Sequence, residues 1–392
     1  MTSLPVNTRD RSLIAFMLTA SLASTIGGLP FNALPVLLGS LADSFHLGTS
    51  AVGLMASVCF AGYLLGTLGA PFWMNRLNWR WLTLISAAGT AGAFACSAVV
   101  TDVRLLYLMW ALIGFFASTM TCLGMRILSD LPNKVRAFGV RQGIELSLTA
   151  ALLFALPPLV IAHFKYPGAA LALASMVALL GLSAFWLPQR AAYEPVQQTP
   201  QASGLALPRA AWMALAVFFL FLTGNIGLWA FLERIGASLK LAPAEMGLVF
   251  AVLKLLGGVA AFSVASFGDR LGARAAYALV LLGVVTGLAM LALASSFITF
   301  ALGAWIWEFA FTCGCVCQSA GIARSDASGR AVLLIPAMFA LASMAGPGLA
   351  GLMLDGVQFG PLLGLALISS LCPFVLSAGW RKAPEVIVGT AH

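Results

Sequence analysis

The sequence predicts an all-α integral membrane protein, with twelve transmembrane helices in two pseudo-symmetric six-helix bundles. Three observations carry this. Of the 392 residues, 61% are hydrophobic and only 9% are charged, against about 25% charged in soluble domains. Apolar runs of bilayer length, which needs about 20 residues each, recur twelve times along the chain. A charged hairpin, Asp269-Arg270-Leu271-Gly272-Ala273-Arg274, has a weaker partner half a chain earlier, Asn75-Arg76-Leu77-Asn78-Trp79-Arg80. A soluble fold cannot cover so much apolar surface, so lipid is the solvent for most of the chain.

The runs span 13–39, 51–73, 81–100, 105–129, 138–162 and 168–187, then 211–232, 244–267, 275–294, 298–322, 331–354 and 361–379. The first follows Arg9 and Arg11, is too long for a signal-peptide core and is followed by further spans, so it reads as a membrane helix. Pro30 and Pro35 break it, as Pro157 and Pro158 break the fifth run. Such breaks free backbone groups that can line a cavity, or they are simple kinks. Most connections are short. The exception, 188–208, is rich in Gln, Pro and Ala and reads as a flexible linker between a bundle at 1–187 and one at 209–392.

The net charge is +8. In a soluble protein that raises nucleic acid as a partner; here the bases sit between apolar runs and set orientation, so no nucleic acid is expected. With the N-terminus inside, sixteen of the 21 Lys and Arg fall at cytoplasmic sites, four fall outside, and Lys254 lies within a span. This predicts a multi-pass protein of the cell (inner) membrane with both termini in the cytoplasm. The seven Cys all fall in apolar runs and read as small packing residues. Cys313 and Cys317 share a helical face, but Cys315 points away, and a soft-metal site needs a third ligand. No nucleotide-binding loop is visible. Neither metal, cofactor nor enzymatic activity is expected.

The two halves repeat. Arg270 follows Arg76 by 194 residues (270 − 76), and both follow the second span of a half. Ser129-Asp130 precedes Arg136-Ala137, and Ser325-Asp326 precedes Arg330-Ala331, at offsets of 196 (325 − 129) and 194 (330 − 136). Two matches at one spacing in equivalent loops indicate a duplicated six-helix unit.

At these residues the chain resembles the major facilitator superfamily. The family's loop after the second and eighth spans is similar to G-x-x-x-D-[RK]-x-G-[RK]-[RK]. Asp269, Arg270, Gly272 and Arg274 match it; Ala265 and Ala273 do not, and the first copy has Asn75 for the acid and Asn78 for the glycine. Residues 132–137 are similar to the family's P-x-x-x-R-[GA] stretch. The resemblance implies a monomeric secondary transporter in the lipid bilayer, moving a small organic solute by alternating access, with or without coupled protons. The alternative is a relative that senses or assembles without transporting. Two departures weaken drug–proton antiport. Trp110 stands where many proton-coupled members carry Arg, four residues before Gly114. The fifth run lacks the antiporter pattern G-x-x-x-G-P-x-x-G-G, and a similar fragment, Gly346-Pro347-Gly348-Leu349-Ala350-Gly351, lies in the eleventh.

An ionisable residue deep in a membrane costs about 2.5–3.5 kcal/mol on insertion scales and usually marks function. Lys254 in the eighth run, Glu308 in the tenth and Glu145 in the fifth are such residues. The resemblance implies that these three spans are neighbours facing a central cavity. Lys254 and Glu308 are expected to form a pair beside the substrate path, with Glu145 nearby; a static buried pair is the other reading. Asn32, Asn225, Trp229, Trp305 and Trp307 are candidate cavity walls. Lys254 leans the substrate towards an anion or zwitterion, and Glu308 pulls the other way.

Asp269, Arg270, Gly272, Arg274, Arg76, Asp130, Arg136, Asp326 and Arg330 are read as a cytoplasmic gating network, and the resemblance implies that Asp269 sits near the N-terminus of a neighbouring helix, which favours negative charge. Arg141 and Glu145 are four apart and can pair, although snorkelling to the surface explains Arg126 and Arg141 without function. Glu233 and Arg234 read as interfacial anchors or an outer gate.

Overall fold

The computed structural model describes residues 6–74, 76–129, 134–187, 207–267, 273–326, 331, 334–354 and 358–379. Backbone polar groups have no water to bond in lipid, so each segment satisfies them within itself as a helix. The first half holds α1 (Val6–Asn32), α2 (Leu34–Phe45), α3 (Thr49–Met74), α4 (Trp79–Val99), α5 (Val103–Ser129), α6 (Lys134–Ala155) and α7 (Ala162–Gly181). The second holds α8 (Arg209–Ser238), α9 (Pro243–Phe267), α10 (Ala273–Ala292), α11 (Phe297–Ser325), α12 (Ile335–Met353) and α13 (Gly360–Gly379).

Helix ends follow local chemistry. Asn78 accepts from Arg80 N at 2.9 Å and caps α4, and Ser296 forms a capping box with Thr299 at the start of α11. His46 closes α2 in the left-handed conformation. The first pair of prolines breaks its helix as the sequence predicts, and the second pair does not. α1 and α2 are one span bent by 50° at Ala33, between Pro30 and Pro35. Pro157 and Pro158 fall in a π-helical turn, Leu156–Ile161, that continues α6.

Among the described residues nine helices are long and apolar enough to cross a membrane, or ten with the bent pair, and Gly360–Leu376 is a shorter apolar helix. One of the nine is Val140–Trp186, 47 residues long. Straight, it would reach about 70 Å, more than twice the ~30 Å hydrocarbon core. It breaks at Lys165 (φ 52, ψ −149). Arg141 bonds Ser24 on α1 and a methyl group at Gly247 would meet Phe154, so α6 runs from the end bearing the N-terminus (the near end) to the opposite far end. Tyr166 N bonds Ser44 at the far end, and Leu187 accepts from Arg80 at the near end, so α7 returns.

The halves meet along α3 with α12, α2 with α8, and α6 with α9. The α3–α12 seam is close because it is lined by glycine. A methyl group at Gly53 would run into Pro347 O, and one at Gly351 would run into Thr49 O. The glycine-rich fragment of the eleventh run is thus a packing face: Gly346 lies against α8, and Gly348 and Gly351 lie against α3. Trp110, at the position of the missing arginine, is buried and donates to Tyr166 Oη at 2.9 Å inside the first half.

Asp130, Asp269, Arg270, Gly272 and Arg330 lie outside the described residues, as does the side chain of Arg136. Arg76 and Arg274 are exposed. Asp326, at the end of α11, is buried and accepts from Ala331 N at 3.0 Å.

Candidate functional site

Midway along the helices, α1, α3 and α6 of the first half face α8, α9 and α11 of the second. The cluster there begins with a missing hydrogen bond. In an α-helix the Phe31 carbonyl would accept from residue 35, but Pro35 has no N–H. Trp229 on α8 fills the gap, its indole Nε1 donating to Phe31 O at 3.0 Å across the halves. The same ring packs edge-on to Phe250 of α9, centroids 5.8 Å apart, and Phe31 meets Phe60 of α3 at 6.0 Å.

Lys254 of α9 sits on this aromatic wall. The residue is 4% exposed, with Nζ 3.7 Å from the Trp229 ring centroid and 5.7 Å from that of Phe31. A desolvated cation–π contact contributes about 2 kcal/mol, while burying an ion costs several kcal/mol even after relaxation. The rings therefore offset only part of the cost. Among the described residues the ammonium forms no ion pair, although Glu308 and Glu145 lie near enough to act on its charge. The direct Lys254–Glu308 pair expected from sequence is absent from this arrangement.

The carboxylates have their own partners. Glu145 accepts from Asn32 Nδ2 at 3.0 Å and pairs with Arg141 at 3.0 Å. It lies so close to α1 that a methyl group at Gly28 would strike it. Arg141 does not snorkel outward: its side chain is 14% exposed, and Nε donates to Ser24 at 3.0 Å. Glu308 is buried against Gly257 of α9, with Thr312 donating to it at a long 3.5 Å.

The other wall candidates divide. Asn225, fully buried, donates to Phe221 O at 2.8 Å and Ser370 Oγ at 2.9 Å and accepts from Trp307 Nε1 at 2.9 Å. It is a strut within the second half, with its amide already engaged. Trp305 donates to Val249 O at 3.0 Å and lines an apolar groove of about 540 Å³ between α9, α10 and α11, along with Cys313 and Cys317. The structure thus brings Lys254 and Trp229 together, and Glu145 with Asn32, and places Asn225 and Trp305 elsewhere.

Sequence reasoning missed Phe31, although its place four residues before Pro35 was a readable signal. It also missed Gln318, buried on α11 nearer the near end, whose two amide atoms have no hydrogen-bond partner among the described residues.

At the far end Arg234 of α8 reaches across to α2. It pairs with Asp43 at 2.8 Å, donates to Gly39 O, and is held by Glu233 at 3.2 Å. Nearby, Thr49 Oγ1 donates to Leu354 O at 2.9 Å, tying α3 to the end of α12.

The sequence profile of the Major Facilitator Superfamily matches residues 17–323. No curated protein matches the chain. Among solved structures, the nucleoside transporter NupG superimposes with a TM-score of 0.72 at 14% identity, covering 95% of this chain and 100% of that one. A D-xylose-proton symporter gives 0.72 at 12% identity, with 92% and 97% covered. A bacterial homolog of the human lysosomal transporter Spinster, inward-facing and unoccupied, gives 0.65 at 15% identity, with 98% and 100% covered. At such identities the likeness establishes the fold, and with a profile match over most of its length the chain belongs to the Major Facilitator Superfamily.

Proposed function

We propose that this protein is a secondary active transporter that moves a small organic solute by alternating access, with no enzymatic step. The observation that supports it best is a buried cation on an aromatic wall at mid-membrane depth, built from both halves: Phe31 from the first, Trp229 and Lys254 from the second. A site shared by two bundles is exposed to one side or the other as they rock. The conformation described is the one tied at the far end by Arg234–Asp43 and Thr49–Leu354.

The excess of Lys and Arg at the near end supports a cytoplasmic near end and cytoplasmic termini, in an inner membrane. Residues 1–187 and 209–392 form the two bundles. Twelve crossings follow if Val140–Trp186 is counted as two passes and Gly360–Leu376 as one. The protein acts as a monomer. Asp269, Arg270, Gly272, Arg274, Arg76, Asp130, Arg136, Asp326 and Arg330 form the gating network of the near end. Glu308, with a single long hydrogen bond, is the group that takes up a coupled proton.

The test is counterflow and uptake in liposomes containing the purified protein, with a broad solute panel and imposed pH gradients. Protein-dependent accumulation of a solute is expected, lost in Lys254→Gln, with the response to the pH gradient lost in Glu308→Gln. A solute that binds without flux refutes transport. A Glu308→Gln protein with an unchanged pH response refutes proton coupling.

A further inference from the structure

Lys254 singles out a chemical class of solute. Its side chain is among the most deeply buried charges described, it faces ring surfaces, and among the described residues it has neither a hydrogen bond nor an ion pair. The ring faces cover one side of the ammonium and offset only part of its burial, so the charge is left to be met by something that enters. Neither carboxylate nearby meets it: Glu145 is taken by Arg141 and Asn32, and Glu308 leans on Thr312.

We propose that the Lys254 ammonium, seated on Trp229 and Phe31 at the seam of the two halves, is the recognition point for the carboxylate of a small organic monoanion. The inference rests on the transporter reading above and narrows its substrate. A neutral polyol or nucleoside would be recognised through amide and hydroxyl groups, but at the ammonium the Asn32 amide nitrogen is engaged by Glu145, the Asn225 amide is engaged within the second half, and the unpartnered amide of Gln318 lies nearer the near end. A dianionic phosphate would face Glu308 and Glu145 with a single nearby unpaired base, whereas one carboxylate matches one ammonium. The remainder of the solute then lies against Phe31, Phe60 and Trp229.

The experiment uses the full-length purified protein and four probes, acetate, lactate, benzoate and phenylacetate, each beside its uncharged amide, with benzylamine as a cationic control. Ligand binding to the folded state raises its melting temperature by mass action. At least one carboxylate is expected to stabilise the wild-type protein while its amide and benzylamine do not. Lys254→Gln is expected to weaken that binding at least tenfold, and Lys254→Arg less. The carboxylate–amide comparison needs no variant, so it stands even if Lys254→Gln fails to fold. Absence of stabilisation by every carboxylate, equal stabilisation by an amide or by benzylamine, or undiminished binding in a folded Lys254→Gln protein overturns the proposal. Flux in liposomes separates the two readings: a carboxylate that binds without flux keeps the anion site and refutes the carrier. Flux of an amide or amine that survives Lys254→Gln keeps the carrier and refutes the anion site.

Discussion

Cutting the far-end tie at Arg234 should release the halves there, and the contacts say by how much. Two partners lie across the seam. Asp43 has a side chain 68% exposed, and exposed ion pairs contribute about 0.2–1 kcal/mol. The Gly39 carbonyl is enclosed, and a hydrogen bond from a charged donor contributes about 1.5–3 kcal/mol. Glu233 is on the same helix as Arg234 and travels with it, so that pair does not hold the seam. Arg234→Gln should therefore weaken closure by about 2 kcal/mol, a shift of roughly thirty-fold in the ratio of closed to open. Asp43→Asn should shift it by about twofold. Spin labels on the turns after α2 and after α8, in a cysteine-free background, report the two states as distance populations by pulsed dipolar spectroscopy. The longer distance should grow strongly in Arg234→Gln and barely in Asp43→Asn. Equal shifts in both variants, or none in Arg234→Gln, would refute the assignment of the tie to the Gly39 carbonyl.

Three further outcomes are expected. Gly53→Val should push α3 from α12, since any side chain there meets Pro347 O, and should lower the melting temperature and far-end closure together in the same distance measurement. Asn225→Leu strands the Trp307 indole and should cost about 1–3 kcal/mol, read as a lower unfolding midpoint in detergent, while carboxylate binding by the surviving folded protein is unchanged. Gln318→Met removes two unpartnered buried polar atoms and should stabilise the protein by about 1 kcal/mol or more. A falling midpoint in that variant would mean that the amide has a partner, such as bound water.

Apolar length and proline position made the spans, the break in the first helix and the depth of Lys254, Glu308 and Glu145 legible from sequence, because each depends on neighbours along the chain. Partner choice was not legible. Trp305 and Trp307 are two residues apart, so they point to opposite sides of α11, and in lipid both sides of a helix are apolar. Only packing reveals that Trp307 faces inward to Asn225 while Trp305 lines the outer groove. The Arg141–Glu145 pair was visible as a four-residue spacing, but Ser24 and Asn32, more than a hundred residues away, were not. Arg234 and Asp43 are 191 residues apart, and nothing local announces that they meet. The motif carrying the family resemblance, Asp269 to Arg274, could be read from local spacing alone, whereas the seating of Lys254 on the rings of Trp229 and Phe31 could not.

The bond from Trp229 to the Phe31 carbonyl has a consequence for how the halves separate. Most helical carbonyls that lose an outside partner keep one inside their own helix. Phe31 has no such reserve, because Pro35 removed it from the ladder. If Trp229 withdraws, a bare acceptor is left at the seam near a buried ammonium, and its cover must come from the Lys254 ammonium itself or from a donor arriving from outside. Under alternating access, parting at this depth would therefore either draw the Lys254 ammonium off the rings onto the Phe31 carbonyl or admit a water or solute hydroxyl to the same place.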